Sequence, residues 1–131
     1  MNILPIDLFA RHLPAIKSLL AELVQIESPT TAKAGVDRLS ARLMPELQAL
    51  GGEIQLYPQV QAGDHFAARW GAGPGGILLC CHMDTVYPLG TLEQQPFSEA
   101  DGKWFGPGVM DMKGGIVVLL SALRLMRENG L

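Results

Sequence analysis

His82 and Asp84 stand two positions apart, directly after an apolar run at residues 77–81. That run predicts a strand buried on both faces of a sheet, and side chains two apart in a strand share a face. Ligands in open α/β sheets bind beyond the carboxyl ends of strands, and a metal-bound histidine commonly donates its second ring N–H to a carboxylate. The pair suits a metal site. An ordinary hydrogen-bonded histidine is the alternative, and backbone or Thr85 contacts could hold Asp84 instead.

Asp111 lies between two glycine-rich segments, residues 106–108 and residues 113–115, the second of which begins the last predicted helix. The glycines let the backbone take positive φ and approach other groups closely. Asp111 could simply cap that helix, but a carboxylate can also bridge two metal ions. The hypothesis is that His82 and Asp111 are metal ligands. Lys113 fits either a functional role or a solvated position in the first helical turn.

Three amphipathic helices are predicted from apolar residues at helical spacing. The first has Pro14 in its first turn, where a missing N–H costs nothing, and residues 7–13 form a short helical turn before it. The second contains Pro45, which predicts a kink or a restart, and Gly51-Gly52 ends it. The predicted helices span residues 14–26, 36–50 and 114–129.

The strand patterns lie between the second and third predicted helices. Glycine-rich residues 71–76 form a turn, residues 88–98 form a polar loop, and residues 100–103 form a hairpin turn. The order of the elements predicts an α/β layered sheet. The predicted strands span residues 53–60, 66–70 and 77–81.

Composition limits the classes of protein to consider. Of the 131 residues, 48% are hydrophobic and 18% charged, and the net charge is -3, which indicates a globular chain with a core. The absence of a basic face argues against nucleic acid, and no charge run or long apolar stretch indicates a membrane partner. Residues 1–14 lack a secretory leader pattern, so a cytoplasmic location is expected. Adjacent Cys80 and Cys81 are badly placed to bond each other and are predicted to be buried.

The motifs together resemble the signature of the M20 family of dinuclear zinc peptidases, and in particular its glutamate carboxypeptidase-like branch. The similarity is strong over about fifty residues. It rests on His82-Met83-Asp84-Thr85-Val86, Pro96-Phe97, Asp101-Gly102, Gly106-Pro107-Gly108-Val109 and Asp111-Met112-Lys113-Gly114-Gly115.

The resemblance implies a three-layer α/β/α sheet of the zinc-peptidase type and a site with two Zn²⁺ ions, with Co²⁺ or Mn²⁺ as substitutes. His82 would bind one zinc, Asp111 would bridge both, and Asp84 would be the catalytic aspartate that orients His82. Two metal ions about 3.5–4 Å apart lower the pKa of a bridging water and polarise the scissile carbonyl. A glutamate would move the proton to the leaving amine.

The resemblance also implies the substrate and the assembly. The expected reaction is hydrolysis of an amide or peptide bond beside a free carboxylate, as in a carboxypeptidase that releases C-terminal glutamate. The substrate would be a small peptide or an N-acyl amino acid, and full-length relatives would be homodimers.

Part of the family's machinery has no counterpart in the sequence. No Glu-Glu pair occurs anywhere, and no histidine follows His82. Residues 1–131 are therefore interpreted as the N-terminal part of a catalytic domain, with a sheet incomplete at the C-terminus and without the dimerisation domain. This chain alone should bind zinc weakly and hydrolyse nothing, since zinc sites use three or four protein ligands. The alternatives are a non-catalytic remnant that associates with itself or a partner, and a stand-alone α/β domain.

Overall fold

The computed structural model describes residues 5–131, so the first four residues of the segment 1–14 considered above lie outside it. The chain contains both helices and short strands, which confirms the mixed α/β class. The elements are α1 (Ile6–Val24), α2 (Lys33–Ala49), β1 (Glu53–Tyr57), β2 (His65–Arg69), α3 (Thr91–Gln94), β3 (Ser98–Ala100), β4 (Lys103–Phe105) and α4 (Gly114–Glu128).

The core is built by one face of each long helix. α1 packs against α4, and α2 lies on the hairpin of β1 and β2. Burying these aliphatic side chains is the main stabilising term, at roughly 1.5–3 kcal/mol for each fully buried one. The buried side chains are Leu19, Leu20, Leu23 and Val24 from α1, Leu39, Leu43 and Leu47 from α2, and Ile116, Val117 and Leu120 from α4.

Both helix prolines lie inside helices that continue through them. α1 begins at Ile6, so the prediction of Pro14 in a first turn is wrong, and residues 7–13 belong to the same helix. α2 runs to Ala49 without restarting at Pro45. Each proline is on the exposed side of its helix, where water can hydrogen-bond the carbonyl that has lost its N–H partner.

The end of α2 follows the predicted glycine stop. Gly51 has φ of 86°, and its N–H donates to the Gln48 carbonyl at 2.8 Å. The Gly52 N–H donates to the Leu47 carbonyl at 2.9 Å. This pair of bonds is the Schellman arrangement, which satisfies the last helical carbonyls.

The strands form two separate antiparallel pairs. β1 pairs with β2, with Ile54 opposite Ala68, and β3 pairs with β4. Asp101 and Gly102 both have positive φ, as a two-residue hairpin turn requires, so the predicted hairpin is confirmed. The predicted polar loop at residues 88–98 contains the short helix α3.

Residues 77–81 contradict the prediction of a buried strand. They form no strand in the described part of the chain, and the Ile77 and Leu78 side chains are 91% and 89% exposed. Cys80 and Cys81 are exposed as well, against their predicted burial. A strand is buried on both faces only when neighbouring strands and covering helices flank it. Within residues 5–131, the four strands pair only within their two hairpins.

No helix within the described residues combines the length and the apolar character needed to cross a membrane.

Candidate metal-binding site

His82 lies between the two carboxylates that the sequence singled out. Its Nδ1 is 3.1 Å from Asp84 Oδ1 and 3.0 Å from the Asp84 carbonyl oxygen. Its Nε2 is 2.8 Å from Asp111 Oδ1. The structure therefore brings all three predicted site residues together, although Asp84 and Asp111 contact opposite nitrogens of the ring.

Asp111 lies in an irregular turn that directly precedes α4. The segment Val109–Lys113 is wound in a wide turn, but Asp111 (φ -126°, ψ 97°) and Met112 (φ -133°, ψ 31°) leave the helical conformation. The peptide bond between them is cis. Helix α4 begins at Gly114, and no side chain caps it. The interpretation of Asp111 as a helix cap is therefore wrong, because its side chain points to His82 instead.

Two glycines allow this turn to form. Gly108 has φ of 75°, and a Cβ there would lie 2.8 Å from Thr85 Cγ2. A Cβ on Gly114 would lie 2.3 Å from the Val109 carbonyl oxygen, far closer than real Cβ contacts. The backbone N–H of His82 also donates to Met112 Sδ at 3.2 Å. The two motifs are thus in direct contact, although 29 residues separate His82 and Asp111.

The Asp84 carboxylate is held by a side chain that the sequence did not single out. The Thr30 hydroxyl donates to Asp84 Oδ2 at 2.6 Å. Thr85, which the sequence offered as a holder for Asp84, is instead buried and bonded through its backbone. No local pattern in the sequence links Thr30 to a partner 54 residues away.

The charges of the three groups influence one another. The hydrogen bond with Asp111 raises the pKa of His82, and the contacts with Asp84 raise it further. Partial burial acts in the opposite direction but does not cancel the rise. The hydrogen bond from Thr30 lowers the pKa of Asp84, and the bond with His82 lowers it further. Burial alone would raise this pKa, but its effect is smaller. Asp84 is therefore a carboxylate at neutral pH, which is the form that accepts a hydrogen bond from His82 Nδ1–H.

Lys113 is buried, which excludes the solvated position that the sequence left open. Its side chain is the largest among those that are almost fully enclosed. Its Nζ donates to the Ile26 carbonyl at 2.7 Å. Burial lowers the pKa of Lys113 to about 8, and the nearby Glu27 carboxylate opposes that change. Lys113 therefore joins the Asp111 turn to the end of α1.

The candidate ligand atoms are of the types found in metal sites, but there are fewer of them than a metal site needs. An imidazole nitrogen and a carboxylate oxygen, from His82 and Asp111, converge on one point, and both are ligands that zinc uses. If Nδ1–H donates to Asp84, then Nε2 and Asp111 Oδ1 both present lone pairs, so a proton or a cation must lie between them. Across residues 5–131, no three His, Cys, Asp or Glu side chains are arranged to hold a metal ion.

Residues 78–131 match the family described as Peptidase family M20/M25/M40. The chain is 37% identical over 120 residues to carboxypeptidase G2 of Pseudomonas sp. (strain RS-16). It is 36% identical over 121 residues to acetylornithine deacetylase of Proteus mirabilis (strain HI4320). These alignments cover 89% and 86% of this chain but only 29% and 31% of the relatives. The chain therefore spans about a third of the length of the curated relatives it matches.

Human carnosine dipeptidase 1 has a similar fold. The TM-score is 0.80 at 23% identity, over 95% of this chain and 30% of that one. The similarity confirms the α/β fold class that the sequence predicted.

Proposed function

We propose, from the premise that this chain belongs to peptidase family M20/M25/M40, that residues 1–131 are the N-terminal part of a hydrolase catalytic domain. His82 and Asp111 are its metal ligands, and Asp84 is the catalytic aspartate that orients His82. The observation that carries the proposal is the contact of His82 with Asp84 through Nδ1 and with Asp111 through Nε2. This arrangement leaves Nε2 and a carboxylate oxygen facing the same point.

The proposed metal is Zn²⁺, two ions in a complete site, with Co²⁺ or Mn²⁺ as substitutes. When bound, zinc lowers the pKa of a coordinated water and polarises a carbonyl. Asp111 has a second carboxylate oxygen available to bridge two ions. Asp84 keeps the Nδ1 proton in place, so that Nε2 keeps its lone pair for a ligand bond. The remaining ligands and the general base would come from parts of the protein beyond these residues.

The proposed reaction is hydrolysis of an amide or peptide bond beside a free carboxylate, with release of C-terminal glutamate as one form of it. A small peptide or an N-acyl amino acid is the proposed substrate. The names of the relatives support this class, since one is a carboxypeptidase and the other a deacetylase of an amino-acid derivative. A homodimer and a cytoplasmic location are proposed for the complete protein.

Zinc binding by the 131-residue chain tests the ligand assignment. Competition with a chromophoric chelator should reveal weak Zn²⁺ binding that falls at least about tenfold in His82→Ala and in Asp111→Asn, because each removes one of two ligands. His65→Ala is the matched control, because His65 is exposed and lies in β2, away from the site. Equal zinc affinity in wild type and His82→Ala would refute the assignment. If this chain hydrolysed an N-acyl amino acid and His82→Ala abolished that activity, the prediction that residues 1–131 are inactive by themselves would be refuted, but the ligand assignment would stand.

A non-catalytic role through self-association is the second candidate, and residues 77–81 favour it. They are apolar and exposed, and no described strand pairs with them. An exposed apolar segment of this kind promotes association with another chain. Sedimentation velocity should show association that Leu78→Lys reduces, whereas Leu89→Lys, which is also on an exposed apolar residue, should leave it unchanged. A monomer at all concentrations would exclude this candidate.

A further inference from the structure

The loop between α1 and α2 contacts every segment that builds the candidate site. Its Ile26 carbonyl accepts from Lys113, and its Glu27 carboxylate accepts from the backbone N–H groups of Gly90 and Leu92. The buried Ser28 hydroxyl donates to the Met83 carbonyl at 2.8 Å. This loop, residues 26–30, therefore fixes the backbone on both sides of Asp84.

Thr30 is the member of this loop whose side chain reaches the site. Its backbone is set by two neighbouring bonds, because Thr30 N–H donates to the Thr85 carbonyl at 3.1 Å and Thr85 N–H donates to the Ser28 carbonyl at 2.8 Å. Its hydroxyl proton has two acceptors within reach, Asp84 Oδ2 at 2.6 Å and the Thr85 carbonyl at 3.4 Å. The shorter contact has the better geometry for a hydrogen bond to a carboxylate. A β-branched side chain also has few χ1 rotamers to choose from.

We propose that Thr30 is a positioning residue that fixes the Asp84 carboxylate and, through it, the tautomer of His82. The inference rests on the proposed function of Asp84. With Oδ2 bonded to the Thr30 hydroxyl, the carboxylate turns Oδ1 toward His82 Nδ1. Asp111 competes for the single proton of the neutral ring from the Nε2 side. Thr30 biases that competition toward the Nδ1–H tautomer, the one whose Nε2 can bind a metal.

Loss of the hydroxyl should therefore weaken metal binding without removing a ligand. Freed from Thr30, the Asp84 carboxylate can rotate away, which leaves the Asp84 carbonyl oxygen at 3.0 Å as the one remaining acceptor for Nδ1–H. The Nε2–H tautomer then gains population through its bond to Asp111. The apparent affinity for a metal falls with the fraction of the competent tautomer. Partners behind a metal ligand typically change metal affinity about 10–100-fold.

The experiment compares Thr30→Val, which replaces the hydroxyl with a methyl group, with Thr31→Val at the next position in the chain. Thr31 is exposed. The ¹⁵N shifts of the His82 ring in the metal-free chain report the tautomer, and they are read at a pH above which they no longer change, where the ring is neutral. Wild type and Thr31→Val should be mainly Nδ1–H, and Thr30→Val should move toward Nε2–H. Zn²⁺ affinity should fall about tenfold in Thr30→Val only, and Thr30→Ser should restore both readouts.

The outcomes separate this inference from the proposed function. If His82→Ala abolishes zinc binding while Thr30→Val leaves the tautomer and the affinity unchanged, the positioning role is refuted and the ligand assignment stands. If His82→Ala has no effect on zinc binding, the ligand assignment itself fails. If Thr30→Val does not fold, Thr30→Ser and Thr30→Ala form a second pair that differs by the hydroxyl. Identical ring shifts in that pair would equally refute the role.

Discussion

Gly114→Ala is expected to lower the free energy of unfolding by about 3 kcal/mol, the upper part of the range for overpacking. The new Cβ would lie 2.3 Å from the Val109 carbonyl oxygen. That oxygen belongs to the backbone of the Asp111 turn, so it cannot rotate away as a side chain would. Relief requires the turn to move relative to α4, which would also separate Asp111 from His82.

Gly115→Ala is the matched control, one residue later in the same helix. Its Cβ would meet only the Met112 side chain, with Cε at 3.1 Å, and a flexible methionine can move. The gain from replacing a helical glycine, about 0.5–1 kcal/mol, should offset that contact, so the net change should be less than about 1 kcal/mol. Urea unfolding followed by circular dichroism measures both variants. If both variants were destabilised equally, the contact with the Val109 carbonyl oxygen could not be the cause of the destabilisation.

Lys113→Ala is expected to lower the free energy of unfolding by about 2–5 kcal/mol, as truncations of long buried side chains do. Lys113 is 1% exposed and fills space between the Asp111 turn and the end of α1. Its removal leaves a cavity and takes away the donor to the partly buried Ile26 carbonyl, and loss of that hydrogen bond adds to the destabilisation. Lys103→Ala, at an exposed lysine in β4, should change stability by less than about 0.5 kcal/mol.

Lys113→Met separates the packing role from the charge, because it keeps most of the volume. We expect it to cost less than Lys113→Ala. The pKa of Lys113 in the folded chain, about 8, lies below its unfolded value of 10.5. Between these values the unfolded state binds more protons, so this group makes stability rise with pH from about 8 to 10.5. The difference in stability between wild type and Lys113→Met should therefore depend on pH in that window. A constant difference would show that Lys113 titrates normally.

The residues of the candidate site, His82, Asp84 and Asp111, could be singled out because their motifs are local, and the structure brings them into contact. The pattern His82-Met83-Asp84 and the glycines around Asp111 are short enough to be visible in one sequence. The last helix was predicted at residues 114–129 and lies at Gly114–Glu128, because its apolar spacing and its burial agree. The hairpin at Asp101-Gly102 was equally predictable, since two residues with positive φ suffice to define it.

The errors concern properties that depend on distant parts of the chain. Burial of residues 77–81 requires neighbouring strands, which a run of apolar residues cannot itself supply. Pro14 was placed in a first turn, and Pro45 was expected to kink or restart its helix, because the sequence does not show that each proline lies on the solvent-exposed side of a helix that continues through it. The Thr30 contact spans 54 residues, so only the folded chain shows that a hydroxyl reaches Asp84.

The bond from Lys113 to Ile26 has a consequence for how metal binding and folding are connected. It joins residues 87 positions apart, and the entropy of closing so long a loop must be met before the bond can form. The geometry at Asp111, the proposed ligand, therefore exists only in molecules in which α1 and α4 have already docked. A metal ion held here would act on the whole folding equilibrium, and its concentration would set the melting temperature of the entire core.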